Sequence, residues 1–371
     1  SKRSRAPRDP RVVVARTIRV KRLLVLLAGC GGGSAPPPRP QQPAPRPGAA
    51  DFIGIYSDDV FFGDAAYRRA TLTQEHAAGV QVIRQPLAWA DFERDPANFD
   101  DFVGLAAGAG VRVLPILLGP EPGAPAAQGG MAPPSSDAKF AAWAASVVGR
   151  YGPSGSFWRA HPSVRKLPVT AWQVWNEPNI PAFWAPRPDP AAYAQLLRTT
   201  AAAIRKRDPH AEVVTAGLPT SHLGMSGPRF LEAVYAAGAK GSFDTVAVHP
   251  YAPTPDAVLA RVRSMRRVIV RHKDDAKLWI TEFGWGTGGA PGPLTVSPAR
   301  QAAYIRQTLQ KLAAGRSSLG IRGAVVFQWR DPKPFAGRRE IWPYFAGLNY
   351  DSGKAKPALA AFRAAAAAVE R

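Results

Sequence analysis

The chain has 371 residues, of which 46% are hydrophobic and 20% charged. That composition excludes a wholly disordered or collagen-like chain and supplies a sizeable core. The formal net charge is +21, and +10 of it lies in residues 1–50. The remaining basic excess is in keeping with general Arg- and Ala-rich usage, because no recognition-helix, zinc-finger or ribonucleoprotein pattern accompanies it, and nucleic acid is not an expected partner. No run reaches the roughly eighteen apolar residues of a membrane span. The single cysteine, Cys30, excludes intramolecular disulfides and a Cys-based structural zinc site.

Residues 1–22 are basic and lack sustained apolar periodicity. They lead into Leu23-Leu24-Val25-Leu26-Leu27-Ala28-Gly29-Cys30. A basic stretch, a short apolar run and small residues before a cut describe a secretory targeting segment over residues 1–30. The tetrad Leu27-Ala28-Gly29-Cys30 resembles the bacterial lipobox, which makes Cys30 the candidate lipidation site and the only expected link to a membrane. Residues 31–50 read as a tether: Gly31-Gly32-Gly33-Ser34, then seven prolines within residues 35–47. The expectation is an extracytoplasmic, lipid-anchored bacterial surface protein, or otherwise a secreted one.

From residue 51 to 371 one unit recurs. Apolar strand candidates lie at 51–57, 80–86, 111–118, 169–176, 211–217, 244–250, 277–283 and 322–329. Helix candidates alternate with them near 64–78, 99–109, 137–150, 190–207, 228–238, 256–272, 298–314 and 357–369. Asp189-Pro190 and Ser297-Pro298 are helix starts, and Gly79 and Gly110 are stops. The strands are continuous apolar runs, as parallel strands covered on both faces require. Eight strand–helix units predict a single (β/α)8 TIM barrel of the α/β class preceded by a disordered extension, with an open doubly wound sheet as the alternative.

In a TIM barrel the chemistry collects where the strands end. Strand 1 ends at Asp58 and Asp59, strand 2 at Arg84 with Trp89 beyond, and strand 3 runs toward Glu121. Strand 4 ends Trp175-Asn176-Glu177-Pro178, strand 6 His249-Pro250-Tyr251, strand 7 Thr281-Glu282-Phe283-Gly284-Trp285, and strand 8 Gln328-Trp329. Glu177 and Glu282 are 105 residues apart. Three units of 35 place them on strands 4 and 7, across the barrel from one another. Two carboxyl groups in different environments are what glycosidic cleavage needs: a proton for the leaving oxygen, and negative charge facing an oxocarbenium-like centre. Trp rings add flat apolar faces that match the C–H faces of a pyranose. In a regular strand Asn176 and Glu177 point to opposite faces, so both reach one site only if the strand end is irregular.

Trp175-Asn176-Glu177-Pro178, His249-Pro250-Tyr251, Trp279 through Gly284, and Trp329 resemble the active-site strands of glycoside hydrolase clan A, the retaining barrel glycosidases. Families 39 and 5 are the nearest members. The closing stretch Gly347-Leu348 through Lys356-Pro357-Ala358 is similar as well, and the likeness spans about residues 51–367. The resemblance implies that Glu177 is the general acid/base and Glu282 the nucleophile. It implies that Asn176 binds the sugar 2-hydroxyl, that Arg84 and Tyr251 keep Glu282 ionised, that Trp329 forms the floor under the sugar, and that His249 lines the same subsite. Trp89 and Trp285 are further candidates for sugar contact. Trp184 and Trp342 divide between sugar contact and packing, while Asp58 and Glu121 divide between the rim of the site and plain solvated loops.

Other motifs fail. Gly284-Trp285-Gly286-Thr287-Gly288-Gly289 fits a dinucleotide fingerprint, but Pro291 and Pro293 follow where a helix must open, and no acidic residue occurs before Asp331. The histidines show no paired metal spacing, so neither cofactor nor metal is expected. The expected function is retaining hydrolysis of O-glycosidic bonds in a poly- or oligosaccharide. A transglycosylase using the same glutamates and a catalytically silent carbohydrate-binding lipoprotein are the alternatives; a polyanion-binding surface protein rests on charge alone.

Overall fold

The apolar runs pair as parallel strands in a computed structural model that describes residues 51–124, 130–220, 223–335 and 339–369. The targeting segment, the tether and Cys30 lie outside the described residues. In chain order the strands are β1 (Ile53–Tyr56), β2 (Val82–Ala88), β3 (Arg112–Leu118), β4 (Ala171–Val174), β5 in two pieces (Glu212–Val214 and Leu218–Pro219), β6 (Thr245–His249), β7 (Lys277–Phe283) and β8 (Ile321–Phe327). Each pairs with the next. β1 pairs with β2 through Gly54 and Val82, and with β8 through Ile53 and Ala324, which closes the barrel.

β5 is interrupted at residues 215–217, yet its backbone stays satisfied. Thr215 Oγ1 accepts from the Ala247 amide at 3.0 Å, and the Tyr193 hydroxyl accepts from the Ala216 amide at 2.6 Å. Side chains here replace ladder bonds, as buried backbone polar groups demand. The second piece then pairs with β6 through Leu218 and Val248.

Two apolar layers hold the fold. Inside the barrel, Val82, Leu114, Ala171, Val214, Ala247, Trp279 and Val325 fill the lumen. Outside it, a larger layer joins strands to helices. All eight expected helices are present, and Asp189 and Ser297 cap theirs by accepting from the Ala191 and Ala192 amides and from the Arg300 amide. Four short α-helices among the described residues escaped the sequence: Asp58–Phe62, Trp89–Arg94, Ser156–Ala160 and Arg316–Leu319. They are four to six residues long, too short for a helical period to show. Two of them open at the mouth of the barrel, so Asp58 and Asp59 start a helix where a bare strand end was expected.

Candidate active site

The end of β4 is irregular in the way the sequence required. The strand stops at Val174, and both Trp175 (φ 72°) and Glu177 (φ 47°) adopt the left-handed region. Such conformations are unfavourable for residues with a Cβ and persist only where surrounding structure holds them. Here the Trp175 amide donates to the Leu117 carbonyl at 2.8 Å, and the Glu177 amide to the Gly217 carbonyl at 3.1 Å. The Trp175 ring is sent outward, with Nε1 donating to the Phe183 carbonyl. Asn176 and Glu177 are thereby both delivered to the mouth.

Arg84, fully buried at β2, organises the site. Its Nη1 donates to Glu282 Oε1 at 2.5 Å, its Nη2 to Asn176 Oδ1 at 2.8 Å and its Nε to Gln173 Oε1 at 2.8 Å. One planar guanidinium therefore ties β2 to β4 and β7. Because Asn176 Oδ1 is committed to Arg84, the Asn176 Nδ2 is the donor left for a ligand. The Tyr251 hydroxyl donates to Glu282 Oε2 at 2.6 Å. His249 Nδ1 lies 2.7 Å from Glu177 Oε1 and 3.5 Å from Glu282 Oε2. Single ligand atoms of Glu177, His249 and Glu282 all fall within 4.8 Å of one another.

The His249 ring sits where a side chain at position 217 would be. A Cβ on Gly217 would lie 2.0 Å from His249 Nε2. Gly217 thus clears the space that lets His249 reach Glu177.

The two carboxyl groups are driven apart. Burial raises Glu177 above the usual carboxylate range, and its bond to His249 only partly offsets this. Burial pushes Glu282 up as well, but the charges of His249 and Arg84 and the bonds from Tyr251 and Arg84 outweigh it and hold Glu282 below that range. The same three ligand atoms form the one set among the described residues close enough to share a metal ion. Both oxygens of Glu282 are already taken by Arg84 and Tyr251, and a cation there would face the Arg84 guanidinium.

The aromatic assignments need correction. Trp329 is buried rather than forming a floor, with its Nε1 unpartnered. β8 ends at Phe327, and Phe327 is the ring that faces the mouth, stacked on its register partner Tyr56 with centroids 5.1 Å apart. Trp89 opens the helix after β2, stacks on Trp143 at 5.5 Å and belongs to the outer core. Trp285 is fully buried, packs on Tyr304 and donates Nε1 to the Ala252 carbonyl. Trp184 packs against Trp175 and Tyr193. These rings face the strand–helix layer because each lies past the end of its ladder, where the chain has already turned outward. Glu121 accepts from the amide and hydroxyl of Ser135 and braces its loop. Asp58 remains at the mouth, half-buried, 3.4 Å from Gln85 Nε2, and burial lifts it to about 6.

Gln173, Gly217, Tyr56 and Phe327 were missed, whereas Trp342, one of the rings left open between sugar contact and packing, does stand at the mouth beside Tyr251. The signal for Phe327 was register, since the last residue of a barrel strand, not the most carbohydrate-like ring nearby, borders the mouth. Gly217 carried no signal in sequence.

A family model described as "Glycosyl hydrolase catalytic core" matches residues 147–315, which contain Asn176, Glu177, His249, Tyr251 and Glu282. Over that stretch, a little under half of its length, the chain is similar to glycosyl hydrolase catalytic cores. Its fold is that of solved glycosidases. The exo-β-1,4-mannosidase from Opitutaceae bacterium strain TAV5 is 18% identical with a TM-score of 0.57, over 85% of this chain and 59% of that one. The endo-β-1,4-mannanase from Thermotoga petrophila is 12% identical with a TM-score of 0.56, over 87% and 77%. A family 5 protein (GH5_18) from Streptomyces cattleya, solved with GlcNAc, is 14% identical with a TM-score of 0.58, over 86% and 80%. At these identities the likeness is one of fold, and the chain spans 59% of the mannosidase's length. No curated protein sequence matches it. Of the two families the sequence resembles, family 5 is the one represented among these neighbours, within clan A.

Proposed function

We propose that the protein is a retaining β-glycosidase that cleaves a poly- or oligosaccharide by double displacement. The observation that carries this reading is the pair Glu177 and Glu282: a half-buried and a buried carboxyl group with oxygens within 4.8 Å, the first lifted above the usual carboxylate range and the second held below it. A retaining enzyme holds its carboxyl groups about 5–5.5 Å apart, whereas inversion needs about 6.5–9.5 Å to admit a water. Glu177 keeps its proton and gives it to the leaving oxygen. Glu282, ionised between Arg84 and Tyr251, attacks the anomeric carbon and forms a glycosyl–enzyme ester. Glu177, now a carboxylate, takes a proton from water, which releases the sugar with its configuration kept. Asn176 Nδ2 is placed to hold the 2-hydroxyl, and Phe327 is the apolar surface under the ring.

β-Linked mannans and galactans are the first substrates to test, because an exo-β-1,4-mannosidase, an endo-β-1,4-mannanase and a fungal β-1,4-galactanase share the fold. Reducing-sugar release across those polymers, glucans, xylans and bacterial exopolysaccharides is the direct test, with Glu177→Gln and Glu282→Gln as blanks. Release lost in both variants supports the reading. Release that survives in either removes that residue from the mechanism.

We also propose that Cys30 carries a lipid anchor and that the Pro-rich stretch lets the barrel stand off a membrane. Cys30→Ala should free the protein from membranes; persistent association refutes that site.

A further inference from the structure

Beside Glu282, the Gly-rich stretch 284–289 takes no part in the proposed chemistry, yet it is built to a tight fit. A Cβ on Gly286 would lie 2.3 Å from the Trp342 carbonyl oxygen. One on Gly288 would lie 2.7 Å from the Phe345 ring, and one on Gly289 (φ +90°) 2.8 Å from the Ile341 carbonyl carbon. A short 3-10 turn, Trp342–Phe345, is therefore pressed flat on this loop. Backbone bonds stitch the two together: Thr287 donates to the Phe345 carbonyl and Ala290 to the Glu340 carbonyl, both at 2.9 Å.

A buried cation pins the assembly. Lys356 Nζ donates to Thr287 Oγ1, to Asp331 Oδ1 and to the Phe345 carbonyl, each at 2.9 Å. Its side chain is fully buried and that of Asp331 nearly so. Asp331 Oδ1 in turn accepts from the Gly347 amide at 2.8 Å. One ammonium thus joins the loop after β7, the loop after β8 and the segment that precedes the last helix. Burying such a pair gains little stability over an apolar replacement, but it fixes geometry.

What is fixed is a ring. Trp342 is half-buried, with its centroid 4.9 Å from Tyr251 and 6.2 Å from Phe327. Tyr251 is the residue that donates to Glu282. The mouth consequently has two unlike walls. On one side Asn176 stands at the end of β4 with Arg84 and Gln173 buried behind it; on the other are Tyr251 after β6, Phe327 at the end of β8 and Trp342 beyond it.

We infer that Trp342 is a specificity-determining aromatic wall for the sugar bound beside Glu282, and that the glycine loop and the Lys356–Asp331 pair are its mount. The inference rests on the retaining reading. A pyranose lays an apolar C–H face on this wall and turns its hydroxyls to the polar one. Lys356 and Asp331 are positioning residues that touch no substrate.

The test is covalent trapping of the full chain with 2,4-dinitrophenyl 2-deoxy-2-fluoro-β-glucoside, -mannoside and -galactoside, read by peptide mass and by inactivation kinetics. These probes place a sugar only on the Glu282 side. Trp342→Ala should weaken the apparent affinity (KI) about tenfold, while the labelling rate at saturation changes little and Trp342→Phe recovers most of the loss. The paired variant Lys356→Met/Asp331→Asn removes both buried charges together, which leaves no lone charge in the interior, and it should raise KI in the same direction, with circular dichroism confirming the fold. If wild-type Glu282 is labelled by a probe and Trp342→Ala is labelled with unchanged KI, the wall is refuted while the retaining reading stands. If the paired variant leaves KI unchanged, the mount is refuted. If no probe labels wild-type Glu282, the retaining reading fails and takes this inference with it.

Discussion

The barrel carries an ionic cluster at each end, and the two are built to opposite specifications. At the N-terminal base, Arg112 Nε lies 3.0 Å from Asp51 Oδ1, and Arg322 reaches Asp51 Oδ2 at 3.6 Å and Glu212 Oε2 at 3.3 Å. The Thr245 hydroxyl donates to Glu212 at 2.6 Å, and Arg322 also covers the Trp279 ring at 4.7 Å. Two guanidinium groups meet two carboxylates, so charge is balanced. At the mouth, one guanidinium and one imidazole serve two carboxylates, and His249 Nε2 has no partner. Balance at the base seals the barrel. Imbalance at the mouth lifts Glu177 above the usual carboxylate range and holds Glu282 below it, as the proposed pairing of acid and nucleophile requires.

Separating activity from stability sharpens that contrast, and the largest effect is expected at Glu282. Glu282→Gln should lower kcat by about 10⁴-fold or more, since loss of a nucleophile removes the covalent route. Glu282→Ala in azide should regain turnover as an inverted glycosyl azide. Unchanged kcat in either variant would end the nucleophile assignment.

Arg84→Lys comes next. A lysine cannot reach Glu282, Asn176 and Gln173 together. Losing one or two charge-assisted bonds, at about 1.5–3 kcal/mol each, should lower kcat/KM about a hundredfold. The acidic limb of its pH profile should move to higher pH, because Glu282 loses the charge that holds it ionised. A limb that stays in place would show that Arg84 does not set Glu282.

The pH dependence carries its own sign. Activity should rise as Glu282 ionises, below the usual carboxylate range, and fall as Glu177 loses its proton, above that range. His249 lowers Glu177, so displacing His249 should raise it further. Gly217→Ala drives a Cβ into His249 and should shift the basic limb of kcat/KM upward while reducing kcat. A basic limb unmoved by this substitution would mean another group sets it.

The smallest effect belongs to the base. Asp51→Asn should leave kcat as it is and lower Tm by a few degrees, for a loss of about 1–2 kcal/mol. Calorimetry beside initial rates checks both halves. A fall in kcat would mean that the two ends of the barrel are coupled.

Much of the site could be read in the sequence because its parts are local. Asn176-Glu177-Pro178 and Thr281-Glu282-Phe283-Gly284 are contiguous motifs, and a repeat of strand and helix counts the units between them. Arg84 was legible as the one cation at the end of its strand. The aromatic residues were not, since a tryptophan past the end of a ladder reads the same whether its ring faces core or cleft. Trp329 lost the floor to Phe327 because β8 ends two residues earlier than its composition suggests. Gly217 was invisible because its role is the space it leaves for a ring 32 residues away.

By itself, the sequence determined the barrel, the strands that carry the two glutamates, and the need for an irregular end to β4. Those follow from hydrophobic period, spacing and the alternation of side chains along a strand, which are properties of neighbouring residues. Tertiary structure alone decided which glutamate is lifted above the usual carboxylate range and which is held below it, which rings line the cleft and how Trp342 is mounted beside them. Those depend on burial, on charges from other strands and on the closeness of backbones far apart in the chain.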